Sequence, residues 1–173
     1  MAKLRKAVCY RKLKMPYTRK SKKREKSYVR GAPYSKITIF DMGNKRAKFT
    51  HRVSLVSKNE FNFRHNALES TRISVNKKLA KKIGDTNFFF KVNVYPHHVL
   101  RENATASGAG ADRFSSGMAH SFGKPVGLAA QIRRGQEVMY VETDEKNISF
   151  AKDALKQVMC KSPIKGQIEI VKR

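Results

Sequence analysis

The chain has 173 residues, of which 38 are Lys or Arg and 13 are Asp or Glu, so its formal charge is +25. Its length fits one domain with an appended segment, and a hydrophobic content of 40% excludes a fully disordered polybasic protein. No apolar run approaches the roughly 18 residues of a membrane span, and the N-terminus lacks the apolar stretch of a secretory signal. Because such charge disfavours a compact state, a large polyanion such as nucleic acid is the expected partner.

The positive charge is concentrated near the N-terminus. Residues 1–31 contain 13 basic residues and one acid, whereas residues 102–173 contain 11 basic residues and eight acids. Pro16 and Pro33 discourage helix, and tyrosines are interleaved with the cations. Cations neutralise phosphates and tyrosines stack on bases, so we predict that residues 1–36 are an extended RNA-binding arm rather than a tail that only increases solubility.

The compact part is predicted to span residues 37–173 and to begin with strands. Residues 37–39 alternate in polarity, residues 40–44 are predicted to turn the chain, and residues 47–57 have the apolar pattern of a strand. These features place a sheet before the first long helix.

The first long helix has predicted signals at both ends. Asn66 is the predicted N-cap, Glu69 completes a capping-box pair, and Gly84 is the predicted C-cap. Its predicted buried face consists of Leu68, Val75, Leu79 and Ile83.

Like charges recur one turn apart on the other faces of this helix, as in Lys77 and Lys81. Each such pair costs roughly 0.2–0.5 kcal/mol in an isolated helix. Two interpretations stay open, a solvated face and a surface that meets neighbouring phosphates.

The remaining elements alternate between strands and helices. In chain order we predict a strand over 88–95, a mobile loop over about 102–113, a short helix from Asp112 to about Phe122, strands over 128–133 and 136–143, a helix that Asn147 caps, and a strand over 167–171. This order predicts an α+β domain whose helices pack on a mixed or antiparallel sheet.

The sequence offers no set of residues that converge on catalysis. There is no CxxC pair, and His97 and His98 are neighbours on an extended segment, where side chains point to opposite faces. The run Gly108-Ala109-Gly110 lacks the third glycine of a phosphate-binding loop, because Arg113 stands there. We therefore predict no catalytic residue, no metal site and no cofactor.

Several short motifs together resemble one family. They are Lys-Ala-Val-Cys-Tyr-Arg (6–11), Pro-Tyr-Thr-Arg-Lys-Ser-Lys (16–22), Phe-Asp-Met-Gly-Asn (40–44), Tyr-Pro-His-His-Val-Leu-Arg-Glu-Asn (95–103), Gly-Ala-Asp-Arg (110–113) and Phe-Gly-Lys-Pro (122–125). In this order they are similar to the archaeal and eukaryotic L-ten-e branch of the universal ribosomal protein family that includes bacterial L-sixteen. The chain ends soon after the last predicted strand, which favours an archaeal member.

The resemblance implies a single α+β domain of the hammerhead type with a basic N-terminal extension. It also implies a non-catalytic, cytoplasmic constituent of the large ribosomal subunit. The expected partners are large-subunit rRNA near the central protuberance, the 5S rRNA neighbourhood, tRNA at the aminoacyl site and other large-subunit proteins, with no membrane and no small-molecule substrate. The loop over about 102–113 would extend toward the peptidyl transferase centre.

Two sets of residues are the predicted contacts. For rRNA they are Lys3, Arg5, Lys6, Arg11, Lys12, Lys14, Tyr17, Arg19, Lys20, Lys22, Lys23, Arg24, Lys77, Lys81, Lys124, Arg133 and Arg134. For the loop near tRNA they are Arg101, Asn103, Thr105, Ser107, Gly108, Gly110 and Arg113. The alternatives are an architectural protein that compacts any nucleic acid, and an RNA-modifying enzyme, for which no cofactor pocket or metal ligands are visible.

Overall fold

Helices and antiparallel strands make up the described part of the chain. The computed structural model describes residues 4–11, 13, 15–19, 21, 23, 25, 28–103, 108–110 and 123–172. The elements are α1 (Val8–Arg11), β1 (Asp41–Gly43), β2 (His51–Ser57), β3 (Phe61–Arg64), α2 (His65–Ile83), β4 (Phe88–Val92), β5 (His98–Glu102), β6 (Lys124–Ile132), β7 (Glu137–Thr143), α3 (Ile148–Lys161) and β8 (Gly166–Lys172). The α+β prediction is confirmed.

The strands form two sheets. The five-stranded sheet has the order β1-β4-β7-β2-β8, and the three-stranded sheet has the order β3-β6-β5. Every pairing is antiparallel. Helices α2 and α3 pack against each other, and one apolar core joins them to the inner face of the large sheet and to β3 and β6.

Helix α2 buries the face that the sequence predicts. Leu68, Val75 and Leu79 have no solvent exposure, and the main-chain N–H of Gly84 closes the helix on the carbonyl of Ala80. The predicted C-cap is therefore confirmed.

The predicted N-cap of α2 is wrong. The helix begins at His65, so Asn66 lies inside its first turn, and Arg64 is the capping residue without a side-chain cap bond. Glu69 does not reach back to the main chain. It forms two hydrogen bonds with Arg72, of 2.6 and 2.9 Å, because a guanidinium one turn away is the stronger donor.

The predicted turn over residues 40–44 is a short strand, β1. Asp41 pairs with Lys91 and Gly43 with Phe89, so this segment is hydrogen-bonded to β4 as a strand of the sheet. Gly43 has φ +81°, and a Cβ there would lie 2.3 Å from the Phe88 carbonyl oxygen. The glycine therefore serves close backbone approach as well as the turn that follows.

The predicted strands over 128–133 and 136–143 both exist, as β6 and β7. They flank a tight turn in which Gly135 has φ +77°, yet they belong to different sheets. β6 pairs with β3 and β5, whereas β7 pairs with β2 and β4. The turn at residues 133–136 thus links the two sheets.

The last helix, α3, and the last strand, β8, lie at the positions in the chain that the sequence predicts. Asn147 occupies the N-cap position of α3, although its side chain makes no cap hydrogen bond. β8 forms an edge of the large sheet, with Ile168 opposite Leu55 and Ile170 opposite Val53. The predicted common direction of Ile168 and Ile170 agrees with this register.

Two strands, β3 and β5, have no counterpart in the sequence predictions. The predicted strand over 88–95 is present as β4, and that over 47–57 as the shorter β2. The predicted helix over 112–122 lies outside the described residues. No helix in the described ranges combines the length and apolar character needed to cross a membrane.

Candidate nucleic-acid interface

The N-terminal arm is docked on the domain through main-chain hydrogen bonds. The N–H of Tyr17 donates to Nδ1 of His98 at 2.8 Å, and the N–H of Val99 donates to the carbonyl of Tyr17 at 3.0 Å. Tyr17 therefore joins the start of β5, an edge strand of the three-stranded sheet.

Side chains reinforce this docking. The guanidinium of Arg101 lies 3.8 Å from the ring centroid of Tyr17, and the main-chain carbonyl of Arg101 accepts a 2.7 Å hydrogen bond from Arg5. Arg5 also lies 4.0 Å from the carboxylate of Glu102. The structure thus brings together Arg5, Tyr17 and Arg101, and it uses their contacts to hold the arm on β5.

One turn of helix, α1, occupies part of the arm that the sequence predicts as extended. Its Cys9 carbonyl accepts from Nδ2 of Asn62 at 2.8 Å, and its Tyr10 hydroxyl accepts from Arg64 at 3.1 Å. Asn62 and Arg64 both belong to β3. These partners, which sequence reasoning missed, give a second docking point.

Two histidines serve as acceptors for main-chain N–H groups of residues 1–36. His98 accepts from Tyr17, and Nδ1 of His65 accepts from the N–H of Lys36 at 3.3 Å. Burial lowers the pKa of both imidazoles, and the positive charges of Lys36 and Arg64 act further on His65. Because an Nδ1 that accepts must be unprotonated, both rings are neutral here.

The docked arm leaves other cations on the surface. Among the described arm residues, the exposed cations are Lys6, Arg11, Arg19 and Lys23, which are predicted rRNA contacts, and also Arg30 and Lys36. Within the described part of the chain, none of the four predicted rRNA contacts Lys6, Arg11, Arg19 and Lys23 forms an ion pair, whereas Arg5 does. Leu4 and Met15 are about nine-tenths exposed, as is Tyr34. Unpaired cations beside exposed apolar groups are typical of a surface that another macromolecule covers.

A second group of cations lies on α2. Lys77 and Lys81 are exposed one turn apart, and Ile73 on the same face is 50% exposed. Lys78, in contrast, donates to the main-chain carbonyl of Asp153 on α3. The helix therefore directs one lysine into the fold and leaves Lys77 and Lys81 available to a partner.

The remaining predicted cations do not form one site. Lys124 is exposed and pairs in register with Glu102, at the end of the three-stranded sheet where the arm docks. Arg133 and Arg134 are exposed just beyond the opposite end of β6. Arg133 follows Lys124 by nine positions along the strand, which is about 30 Å. The basic surface is thus spread over several faces.

The described part of the predicted loop is open. Gly108 and Gly110 have positive φ values of 129° and 80°, and nothing lies within 4 Å of the place of a Cβ at either residue. Asn103 is half-buried at the end of β5. The predicted contacts that lie outside the described residues are Lys3, Lys12, Lys14, Lys20, Lys22, Arg24, Thr105, Ser107 and Arg113.

Nothing in the described residues resembles a metal centre. No three His, Cys, Asp or Glu side chains gather there closely enough to hold an ion. Both cysteines are free thiols, Cys9 half-buried and Cys160 exposed. The arrangement presents cations and aromatic rings on a rigid support, which suits binding to a polyanion.

Comparison with known proteins points to one family. Residues 16–169 match the family model described as ribosomal protein L16p/L10e. The chain is 46% identical over 170 residues to large ribosomal subunit protein uL16 of Methanococcus aeolicus, covering 98% of this chain and 95% of the relative. It is 43% identical over 166 residues to the uL16 protein of Staphylothermus marinus, and 41% over 166 residues to that of Archaeoglobus fulgidus. These two matches cover 95% and 96% of this chain and 92% of each relative.

Proposed function

This chain belongs to the ribosomal protein L16p/L10e family, in its archaeal group, and from that premise we propose that it is a structural constituent of the large ribosomal subunit in the cytoplasm. Its task is to bind and shape rRNA, and it is not an enzyme. Its partners are rRNA and other ribosomal components.

The observation that carries this proposal is that some residues of the arm dock it on the domain while other residues of the arm expose their positive charge. Arg5 and Tyr17 use their hydrogen-bonding groups to dock the arm on β5, while Lys6, Arg11, Arg19 and Lys23 are exposed. Docking fixes the position of the exposed cations, so less conformational entropy is lost when phosphates bind them. Phosphate contacts of this kind set position and orientation rather than read sequence.

The location within the subunit follows from the family resemblance. We propose contacts with large-subunit rRNA near the central protuberance, close to the 5S rRNA and the aminoacyl-tRNA site. The segment over about 102–113 would extend toward the peptidyl transferase centre and help shape the surroundings of tRNA. Lys124 lies at the base of this segment, where it could neutralise a phosphate.

The alternative is an architectural protein that compacts any nucleic acid. It would bind duplexes in proportion to their length and without fixed stoichiometry. The spread of cations over several faces supports a partner that surrounds the protein, as folded rRNA would, more than a single straight duplex.

Reconstitution separates the two functions. Large-subunit particles stripped of this protein should take it up to saturation at one copy per particle, at moderate salt. The architectural alternative predicts continued uptake in proportion to RNA length, and that result would overturn the proposal.

A further inference from the structure

Strand β8 forms a long edge of the five-stranded sheet. Its seven residues, Gly166–Lys172, pair one to one with the seven residues of β2, and no described strand pairs with its other side. The opposite edge of this sheet, β1, is only three residues long. In the three-stranded sheet the arm meets both edges, with Tyr17 on β5 and α1 on β3. Among the described strands, β8 is therefore the long edge that stays open.

The alternation of hydrogen bonds along β2 identifies the main-chain groups of β8 that face outward. The N–H of Lys58 donates to the carbonyl of Lys165 at 2.7 Å, and these two residues are the next opposite pair beyond the β2–β8 register. Hydrogen-bonded and non-hydrogen-bonded pairs alternate along an antiparallel ladder. The odd-numbered residues of β8 therefore bond to β2. The N–H and C=O groups of the even-numbered residues, such as Ile168 and Ile170, point away from the sheet.

This edge lacks the features that usually prevent another strand from adding to it. Residues 166–171 contain no proline and no lysine, and their register on β2 contains no bulge. Proline, lysine and bulges are the common means by which proteins protect an exposed edge. Ile170 is 41% exposed and Val171 is 56% exposed, and as neighbours on a strand they point to opposite faces of the sheet. An added strand would therefore cover apolar side chains on both faces.

Charge indicates which kind of macromolecule fits this edge. Residues 166–171 carry one charged side chain, Glu169, which is exposed and forms no ion pair in the described part of the chain. Arg52 on the neighbouring strand already pairs with Glu137 at 2.7 Å, and Lys165 and Lys172 stand only at the two ends of the edge. In a chain with 38 basic residues and 13 acids, this edge thus presents an unpaired carboxylate, which repels phosphates and attracts a basic polypeptide.

We propose that β8 is a docking edge for an extended, basic segment of another protein of the large ribosomal subunit, which adds to the sheet as a sixth strand. The main chain of this segment bonds to the outward groups of β8, as in other cases of strand addition. Its apolar side chains cover Ile170 and Val171, and a Lys or Arg pairs with Glu169. The inference rests on the proposed function only in placing the chain in the large subunit.

Photo-crosslinking tests the geometry of this pairing. Large subunits stripped of this protein are reconstituted with the full chain, which carries p-benzoylphenylalanine in place of Gln167 or Val171, two exposed residues on the same face of β8. Both positions should crosslink to one segment of one other protein, at sites about four residues apart, because paired strands advance in step. Crosslinks to rRNA, to a second copy of this chain, or to protein sites without that spacing would overturn the proposal.

Residue-resolved hydrogen exchange tests the alternation of the main-chain groups. The outward amides of Ile168 and Ile170 should exchange at least about tenfold more slowly in the reconstituted subunit than in the free chain. The amides of Glu169 and Val171, which already bond to β2, should change less and serve as the internal control. Equal exchange of the Ile168 and Ile170 amides in the two states would contradict strand addition.

A charge reversal tests the basic character of the partner. Glu169→Lys should lower the crosslinking yield at the Val171 position at least about threefold, because like charges would then face each other across the new pair. Asp85→Lys, at an exposed acid in the turn between α2 and β4, is the matched control and should leave the yield unchanged. Equal yields in the two variants would contradict a basic partner.

Sedimentation of the same particles separates this inference from the proposed function. A chain that enters the large subunit but gives no crosslink to a paired segment overturns the docking edge alone. A chain that stays outside the subunit overturns the proposed function, and the docking edge with it.

Discussion

Nδ1 of His98 accepts a 2.8 Å hydrogen bond from the main-chain N–H of Tyr17, 81 residues earlier in the chain. This bond holds the arm on the edge of the three-stranded sheet, and it exists only while the imidazole is neutral. A single proton on His98 would therefore replace an acceptor with a donor and weaken the docking of the arm on β5.

The stability of this docking should depend on pH. Burial, followed by the charges of His97 and Arg101, lowers the pKa of His98 in the folded chain. Above the ordinary histidine value of about 6.5 both states are neutral and the stabilisation is complete. As pH falls below that value the unfolded chain takes up the proton first, so the free energy of unfolding decreases until pH passes the lowered pKa.

His98→Asn tests this prediction, because an asparagine side chain offers an acceptor that does not titrate. We expect the hydrogen-exchange protection of the Tyr17 amide to fall between pH 7.5 and 5.5 in the wild type and to change less in His98→Asn. His51→Asn is the control. Equal pH dependence in the wild type and in His98→Asn would show that His98 does not govern the docking.

The exposed cations of the arm should determine the salt dependence of RNA binding. Substituting Gln for Lys6, Arg11, Arg19 and Lys23 removes four charges without touching the docking contacts of Arg5 and Tyr17. Binding to large-subunit rRNA should weaken, and the slope of log K against log salt should become shallower by about three. Filter binding at several salt concentrations measures both. An unchanged slope would mean that these cations meet no phosphates.

Replacement of residues 104–110 by a Gly-Ser linker of equal length should spare incorporation and slow translation. The described cations and the docked arm remain, so affinity for rRNA should be preserved. Peptide-bond formation and aminoacyl-tRNA binding by reconstituted subunits are the measurements. Normal rates would contradict the proposed role of this segment.

Two glycines with similar backbone angles should respond differently to substitution. Gly43 and Gly135 have φ values of +81° and +77°, but only at Gly43 would a Cβ meet another atom, the Phe88 carbonyl oxygen at 2.3 Å. We expect Gly135→Ala to lower the free energy of unfolding by about 1 kcal/mol, and Gly43→Ala by about 3 kcal/mol or more. Urea denaturation gives both values, and equal losses would contradict the close approach of β1 to β4.

Helices α2 and α3 were predictable because periodic apolar residues mark one face, as Leu68, Val75 and Leu79 do on α2, whereas the single turn α1 is too short to show a period. Strand β4 was predictable for the same reason, with Phe88 and Phe90 alternating toward the core. Strand β3 also alternates, with Phe61 and Phe63 apolar and Asn62 and Arg64 polar, but the pattern covers only four residues and leads directly into α2, so it is too short to stand out.

The exposed cations of the interface were predictable from composition alone, since unbalanced charge needs a partner of opposite sign. The contacts that dock the arm on the domain could not be predicted from the sequence. Asn62 and His98 bond to main-chain groups 53 and 81 residues away, and no local pattern encodes a contact that depends on the placement of separate elements. The N-terminus of α2 was also not predictable in detail, since the helix begins at His65, two residues before the start that a cap at Asn66 would give.

Sedimentation of cell lysate on a sucrose gradient tests the central claim most directly. With the tagged chain expressed in an archaeal host, we expect one copy per large subunit, retained at moderate salt, and loss of that retention when the four arm cations are replaced by Gln. Recovery of the wild-type chain in the free protein fraction, or with bulk nucleic acid at no fixed stoichiometry, would contradict the assignment to the large subunit.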